Sequence, residues 1–517
     1  MVDIGTPLLT HLGIIDGRVV CRGAAALARP ALERLDASHL LVTSGLIDTH
    51  THLGWAGRAL CNVNADLARS GEGLLAEVRR ATGTGAAHAW ITGGRWDRSR
   101  LPDDALPTRA ELDAASQGRP VFLQSEDQAT ALANTLALER FRLLDIDAGG
   151  ISVDRDADGT ATGRLRGRNA RALATAGVVP PRSTGHVADE IAAATRELVR
   201  RGVTEVHDIA APGEDPGAPP VWWERSFTDL AALRRLAETG RLPLRVGIRA
   251  SLHRVESLPT ASWWPRVDDQ RLFGIGLKVF VAQGGLTHVP GVMGHSFRYP
   301  GRDLTSEWIR DAHALGMPVS AHALGDLDVS EALACFEAAG ATGQVPHRLV
   351  HAYAMAEADI ARTARLGIVV ECQPYSLIET ADWRGRGDQA GVVAHPWKRL
   401  LDAGVPLVFG SDWRSVEHAD LRAADPRVGM AIAVERRLVP DDPPWGPRDG
   451  VTPAQALHAY TSAAARSAGE TGRRADLREG SAADLVVWSE DFIADPARLH
   501  SARALVTVVE GLVEHEM

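Results

Sequence analysis

Two histidines one residue apart end a short apolar run, Ser44-Gly45-Leu46-Ile47-Asp48-Thr49-His50-Thr51-His52-Leu53. On a strand, side chains alternate between faces, so His50 and His52 project to the same side. Two imidazoles presented together can bind one metal ion. The pair alone reads equally well as two polar residues on one strand face, so the question is whether later segments supply the remaining ligands. Lys278 stands in Gly274-Ile275-Gly276-Leu277-Lys278-Val279-Phe280-Val281, and His322 in Ser320-Ala321-His322-Ala323. His351 stands in Leu349-Val350-His351-Ala352, and Asp412 in Phe409-Gly410-Ser411-Asp412. A histidine on an apolar strand is commonly a satisfied core residue, and an Asp after Gly-Ser is commonly a turn or helix cap. Histidines, a lysine and an aspartate recurring at the ends of successive apolar runs are harder to dismiss.

Lys278 needs its own account. The chain uses Arg almost everywhere, and its only lysines are Lys278 and Lys398. A lysine buried charged and unpaired in a strand costs on the order of several kcal/mol. Arginine would serve a simple ion pair. An uncharged lysine amine can instead react with CO₂ to give a carbamate, a two-oxygen anion able to bridge two metals. The competing reading is a buried Lys–Asp pair.

These residues need a scaffold that brings strand ends together. From about residue 187 strands and helices alternate. Strand candidates are 202–207, 242–248, 274–281, 318–323, 348–352, 367–372 and 405–410, with helical periodicity in 229–239, 306–315, 330–339 and 356–366. Gly240, Gly316, Gly340 and Gly367 stand where helix C-termini favour glycine. With the His-x-His strand the count is eight, which predicts an α/β fold built as a (β/α)8 TIM barrel. Barrel chemistry sits at the C-terminal strand ends, where the candidate ligands fall. Residues 62–185 break the rhythm and predict an inserted lid or substrate segment within a barrel spanning 45–474. The pair Asp16-Gly17 predicts a hairpin near the N-terminus, and short strands at both ends predict a composite β-sandwich domain from 1–44 and 475–517.

The bulk properties narrow the function. The 517 residues are 45% hydrophobic and 24% charged, an ordinary globular composition. A net charge of −10 argues against nucleic acid or an anionic membrane as partner. The N-terminus lacks a basic segment followed by an apolar core, and no apolar run of ~18 residues occurs. The four cysteines, Cys21, Cys61, Cys335 and Cys372, are scattered, which suits structural thiols in a reducing cytoplasm. No Gly-x-Ser-x-Gly elbow is present, which disfavours a serine hydrolase.

At this point the residues resemble a known family. Gly45 to His52, His322-Ala323-Leu324-Gly325-Asp326, Arg348-Leu349-Val350-His351 and Gly410-Ser411-Asp412-Trp413 are similar to motifs of the amidohydrolase superfamily. Trp96-Asp97, Pro107-Thr108-Arg109-Ala110 and Gly480 to Leu485 add to the likeness. Within the superfamily the chain resembles the YtcJ-like enzymes that include N-substituted formamide deformylases. The resemblance implies that His50, His52, Lys278 and Asp412 hold one divalent ion while His322, His351 and a carboxylated Lys278 hold a second. The expected ions are Zn²⁺, roughly 3.5–4 Å apart and sharing a hydroxide. Asp412 would act as acid and base in hydrolysing a carbon–nitrogen bond of an amide, N-formyl or cyclic amide. Asp326 either fixes an imidazole tautomer or caps the following helix.

The pocket departs from the family pattern more than the metal shell does. Asp127-Gln128-Ala129 replaces an Asp-Gly-His run, and Val281-Ala282-Gln283-Gly284 lacks the acidic residue usual after the lysine. Asp127 and Gln283, which stand at these changes, and Tyr353, two residues after His351, are candidates to touch the substrate or to support the metal ligands. There are 13 Trp against 9 Phe and 4 Tyr. Trp55, Trp96, Trp383 and Trp413 form either a flat wall for an aromatic or heterocyclic small molecule or ordinary core packing. The sequence is compatible with a homodimer. Rival readings are decarboxylation, deamination or isomerisation on the same scaffold, and a catalytically silent binding protein.

Overall fold

The computed structural model describes residues 11–65, 68–83, 90–125, 130–141, 152–166, 183–210, 227–251, 271–281, 302–381, 391–413, 421–437, 442–469 and 474–517. Asp127, Gln283 and Trp383 lie outside them. Two compact units emerge: residues 1–52, 195–413 and 421–517 make one, and residues 53–194 with 414–420 make the other.

The first unit is built on an eight-stranded parallel sheet whose strands follow one another in chain order. They are Leu46–Thr51, Val203–Ala210, Arg245–Ser251, Leu272–Phe280, Val319–Ala323, Arg348–His351, Val369–Cys372 and Leu407–Phe409. Each pairs in parallel with the next. The eighth returns to the first just beyond its regular end: Asp412 N–H donates to the His50 carbonyl at 2.7 Å and His52 N–H to the Trp413 carbonyl at 3.2 Å. These bonds close the sheet as a (β/α)8 barrel, as the strand count predicts. Helices Arg302–Ala314, Asp326–Ala338 and Glu357–Leu366 connect successive strands. Gly367 ends the last of them in the left-handed conformation, φ 63°.

Both chain ends contribute to one antiparallel sheet in this unit. Its order is Leu512–Glu516, Ala504–Val509, Leu485–Trp488 and Leu41–Ser44. Leu12–Ile15 and Arg18–Arg22 form the hairpin expected of Asp16-Gly17. Trp488 is fully buried and donates its indole N–H to Thr43 Oγ1 at 2.9 Å, so its one polar atom is satisfied.

The second unit contains a six-stranded mixed sheet. Within it, Ser152–Arg155 pairs antiparallel with Ala161–Arg166. Strand Ile91–Trp96 is unexpected, because its sequence holds Gly93 and Gly94 at φ 117° and 110°. A Cβ on Gly93 would lie 2.1 Å from the Val63 carbonyl oxygen, so only glycine lets the two strands approach.

Barrel geometry also captures a histidine pair. His347, just before the sixth barrel strand, is buried and accepts the Val319 N–H through Nδ1 at 3.1 Å. Its Nε2 lies 2.9 Å from His313 Nδ1. A ring accepting at Nδ1 is neutral with its proton on Nε2. Burial, and then His313, push the His347 imidazole down to about 4. The unfolded chain therefore binds this proton at higher pH than the folded one, so stability is lost as pH falls from the ordinary imidazole range toward 4. Urea midpoints should drop between pH 7 and pH 5, and His347→Gln, which keeps an acceptor for Val319, should show a smaller drop.

Candidate metal centre

The C-terminal ends of the first and eighth barrel strands converge because their backbones are hydrogen-bonded there. His52 Nε2 lies 2.9 Å from Asp412 Oδ1, and His50 Nε2 lies 3.5 Å from the same oxygen. Two donors bound to one zinc ion at tetrahedral angles lie about 3.3 Å apart. The observed pair distances bracket that value, and donor atoms of His50, His52 and Asp412 all lie within 4.8 Å of one another. These residues fit one divalent ion.

His351 comes in from the sixth strand, its ring centroid 5.2 Å from that of His50, and its Nδ1 3.9 Å from Asp412 Oδ2. His322, from the fifth strand, has its ring 4.4 Å from that of His351 and 4.9 Å from Phe280. Lys278, in the fourth strand, is buried with Nζ 5.7 Å from the centre of the Phe280 ring. Burial first, and the neighbouring Lys278 second, hold the His50 imidazole below its ordinary range. His322, His351, His50, His52 and Asp412 thus form a run of neighbouring side chains at the C-terminal strand ends, and Lys278 is buried beside the same Phe280 ring that His322 approaches; among the described residues, His50, His52 and Asp412 converge as one donor set. Asp412 has φ 50° and His351 φ 79°, both in the left-handed region that non-glycine residues rarely adopt.

Asp48 holds the seam from below. Its Oδ1 accepts the Ser411 N–H at 2.8 Å and the His50 N–H at 3.1 Å. Burial pushes its carboxyl up to about 7 in spite of those bonds.

The orienting residues come from the seventh strand and the position just after it. Glu371 is fully buried, and its Oε1 accepts from His50 Nδ1 at 2.6 Å and Arg249 Nη1 at 2.8 Å. Its Oε2 accepts from Arg249 Nη2 at 2.6 Å and Arg348 Nη1 at 2.8 Å. Burial alone would raise the Glu371 carboxyl; Arg249 and His50 outweigh it and hold it down to about 2. Behind the guanidinium groups, His207 Nδ1 lies 3.4 Å from Arg249 and 3.3 Å from Arg348, while its Nε2 lies 3.1 Å from Glu205. Two residues on from Glu371, Gln373 Oε1 accepts from His351 Nδ1 at 2.7 Å. His50 and His351 therefore each carry their proton on Nδ1 and present Nε2 as a donor. Sequence reasoning missed Glu371 and Gln373. The signal was available, since a charged residue inside Val369-Val370-Glu371-Cys372 stands out as Lys278 does.

The remaining candidates divide. Tyr353 is buried with its ring 5.5 Å from that of His351. Asp326 is the buried first residue of helix Asp326–Ala338, whereas the carboxylate reaching back to the Leu324 and Gly325 N–H groups belongs to Asp328, at 3.4 and 3.5 Å. Trp413 is only 2% exposed, and its backbone helps close the barrel. Trp96 is packed in the apolar core of the second unit with Leu101 and Leu106. Trp55 lies on helix Leu53–Cys61 of the same unit.

A model of the amidohydrolase family matches residues 33–514. The chain belongs to the amidohydrolase family. Two relatives span almost its whole length. The amidohydrolase YtcJ of Bacillus subtilis (strain 168) is 27% identical, the match covering 94% of this chain and 91% of that protein. The N-substituted formamide deformylase of Arthrobacter pascens is 25% identical, over 98% and 93% respectively. A solved metal-dependent hydrolase from Pyrococcus furiosus is 25% identical with a TM-score of 0.67, covering 93% of this chain and 95% of that one. The amidohydrolase-family barrel thus carries at its mouth a cluster suited to a divalent ion. No helix among the described residues is long and apolar enough to cross a membrane.

The seam leaves no room for a side chain. A Cβ on Gly410 would lie 2.5 Å from the His50 backbone nitrogen and 2.8 Å from its Cβ. Gly410→Ala should separate the two strands and lower the divalent metal retained after dialysis by at least about tenfold, with far-UV circular dichroism nearly unchanged. Metal analysis by plasma emission checks this.

Proposed function

We propose that this amidohydrolase-family enzyme hydrolyses a non-peptide carbon–nitrogen bond, in an amide, N-formyl or cyclic amide substrate, at a two-zinc centre. The observation that carries the reading is Asp412, whose carboxylate lies beside His50, His52 and His351 at once. In this proposal His50, His52, Lys278 and Asp412 hold one ion, and His322, His351 and Lys278 the other. The likeness to a formamide deformylase and to a metal-dependent hydrolase supports it. Bound divalent ions supply Lewis acidity to the carbonyl and a lowered pKa to the attacking water.

The chain's own groups do the rest. Glu371 and Gln373 keep two imidazoles turned toward the centre. The Lys278 amine would add to CO₂, its displaced proton passing to solvent, and the resulting carbamate would supply oxygen donors to the ions. Asp412 takes the proton released as water attacks and delivers it to the leaving nitrogen. Its closed seam to His50, set by Asp48, fixes where that proton is handled.

The deciding experiment is turnover of a panel of N-formyl, N-acyl and cyclic amides, aromatic and aliphatic, by zinc-loaded protein. Hydrolysis of none, with ester or decarboxylase activity present, overturns the bond assignment. On an active amide, Asp412→Asn should keep bound zinc while kcat drops about 10²–10⁴-fold. Lys278→Arg, which cannot form a carbamate, should lose both zinc and turnover yet stay folded; full activity in that variant rejects the bridging role.

A further inference from the structure

The seventh barrel strand supplies no metal donor in the proposed centre, yet it touches donors for both ion positions. Glu371 lies inside the strand Val369–Cys372 and Gln373 directly follows its end. Each accepts the Nδ1 proton of one imidazole, Glu371 from His50 and Gln373 from His351. The two acceptors differ in one respect only that matters to a metal. One is a carboxylate and the other a neutral amide.

We propose that Glu371 and Gln373 are positioning residues which make the two ion positions unequal, the ion at His50 being held more tightly than the ion at His351. This rests on the two-ion reading above. A carboxylate drawing on the Nδ1 proton pushes electron density toward Nε2 and makes the ring a stronger donor; an amide oxygen does so less. The contrast is built rigidly. Arg249 grips both Glu371 oxygens, at 2.8 and 2.6 Å, and Arg348 grips Oε2 at 2.8 Å, so the carboxylate cannot swing away from His50. These cations also withdraw some of its charge, which limits the difference. Gln373 has no comparable clamp: its Nε2 is buried without a hydrogen-bond partner among the described residues. Ligand number adds in the same direction, since His50, His52 and Asp412 converge as a set of three.

The test uses the full-length chain stripped of metal and supplied with bicarbonate, titrated with Zn²⁺ alone against a competing fluorescent chelator. The native chain should bind in two phases separated at least tenfold. Glu371→Gln should weaken the tighter phase about 10–100-fold and leave the weaker one within twofold. Gln373→Glu, which exchanges an unbonded amide nitrogen for a carboxylate oxygen, should tighten the weaker phase about tenfold. Histidine-selective ¹⁵N spectra of the metal-free native chain should show His50 protonated at Nδ1. Two ions of equal affinity in the native chain overturn the inference and leave the two-zinc reading standing. So does a folded Glu371→Gln with its tighter phase unmoved. Should Glu371→Gln fail to fold, because Arg249 and Arg348 lose their counter-charge, the weaker phase of Gln373→Glu decides. A native chain that binds no divalent ion removes the two-zinc reading itself.

Discussion

A carboxylate sealed from water has to be met by donors on every side, and Glu371 is met by His50, Arg249 and Arg348. The interiors of (β/α)8 barrels are usually filled by branched apolar side chains. Here a layer of ions lies beneath the mouth instead, running from Glu371 through the two arginines to His207, Glu205 and Arg474. Stability gives little reason for it. Replacing a buried ion group with well-packed apolar residues is often neutral or stabilising by about 1–4 kcal/mol, whereas removing one partner costs about 3–5 kcal/mol. The layer gives orientation. With Glu371 immobile, His50 has one tautomer and one ring plane.

The same requirement governs the seam above it. Asp48 binds the N–H groups of His50 and Ser411, so the backbone on either side of Asp412 is set by a buried acceptor. The positive φ values of His351 and Asp412 are held at the point where the two candidate donors approach. Backbone strain of this kind costs on the order of 1–3 kcal/mol at each residue and persists where surrounding bonds over-determine the conformation.

Most of the barrel was legible because its strands are continuous apolar runs, interrupted only where chemistry intrudes. His322 and Lys278 betray themselves by being polar in such runs, and Leu46–Thr51 through Leu407–Phe409 fall within a few residues of the expected strands. Glu371 obeyed the same rule and was passed over. Its partners His50 and Arg249 lie 321 and 122 residues away, and no periodicity in a single sequence connects them. Composition was a poor guide to tryptophan: Trp96 and Trp413 are buried side chains, which an unpaired sequence cannot tell from pocket walls. Asp326 and Asp328 are two residues, about half a helical turn, apart, and it is the Asp328 carboxylate that curls back on the loop. Strand Ile91–Trp96 was hidden by its two glycines, which weaken any strand signal while permitting close backbone approach.

The barrel's seam joins residues separated by most of the polypeptide, with Asp412 donating to His50. During synthesis the N-terminal half emerges first. Until residue 412 has cleared the ribosome, His50 and His52 have no Asp412 beside them, and the three-donor pocket does not exist. A nascent chain thus lacks this pocket for at least about four-fifths of its translation, and filling it with a divalent ion becomes an event of the finished molecule.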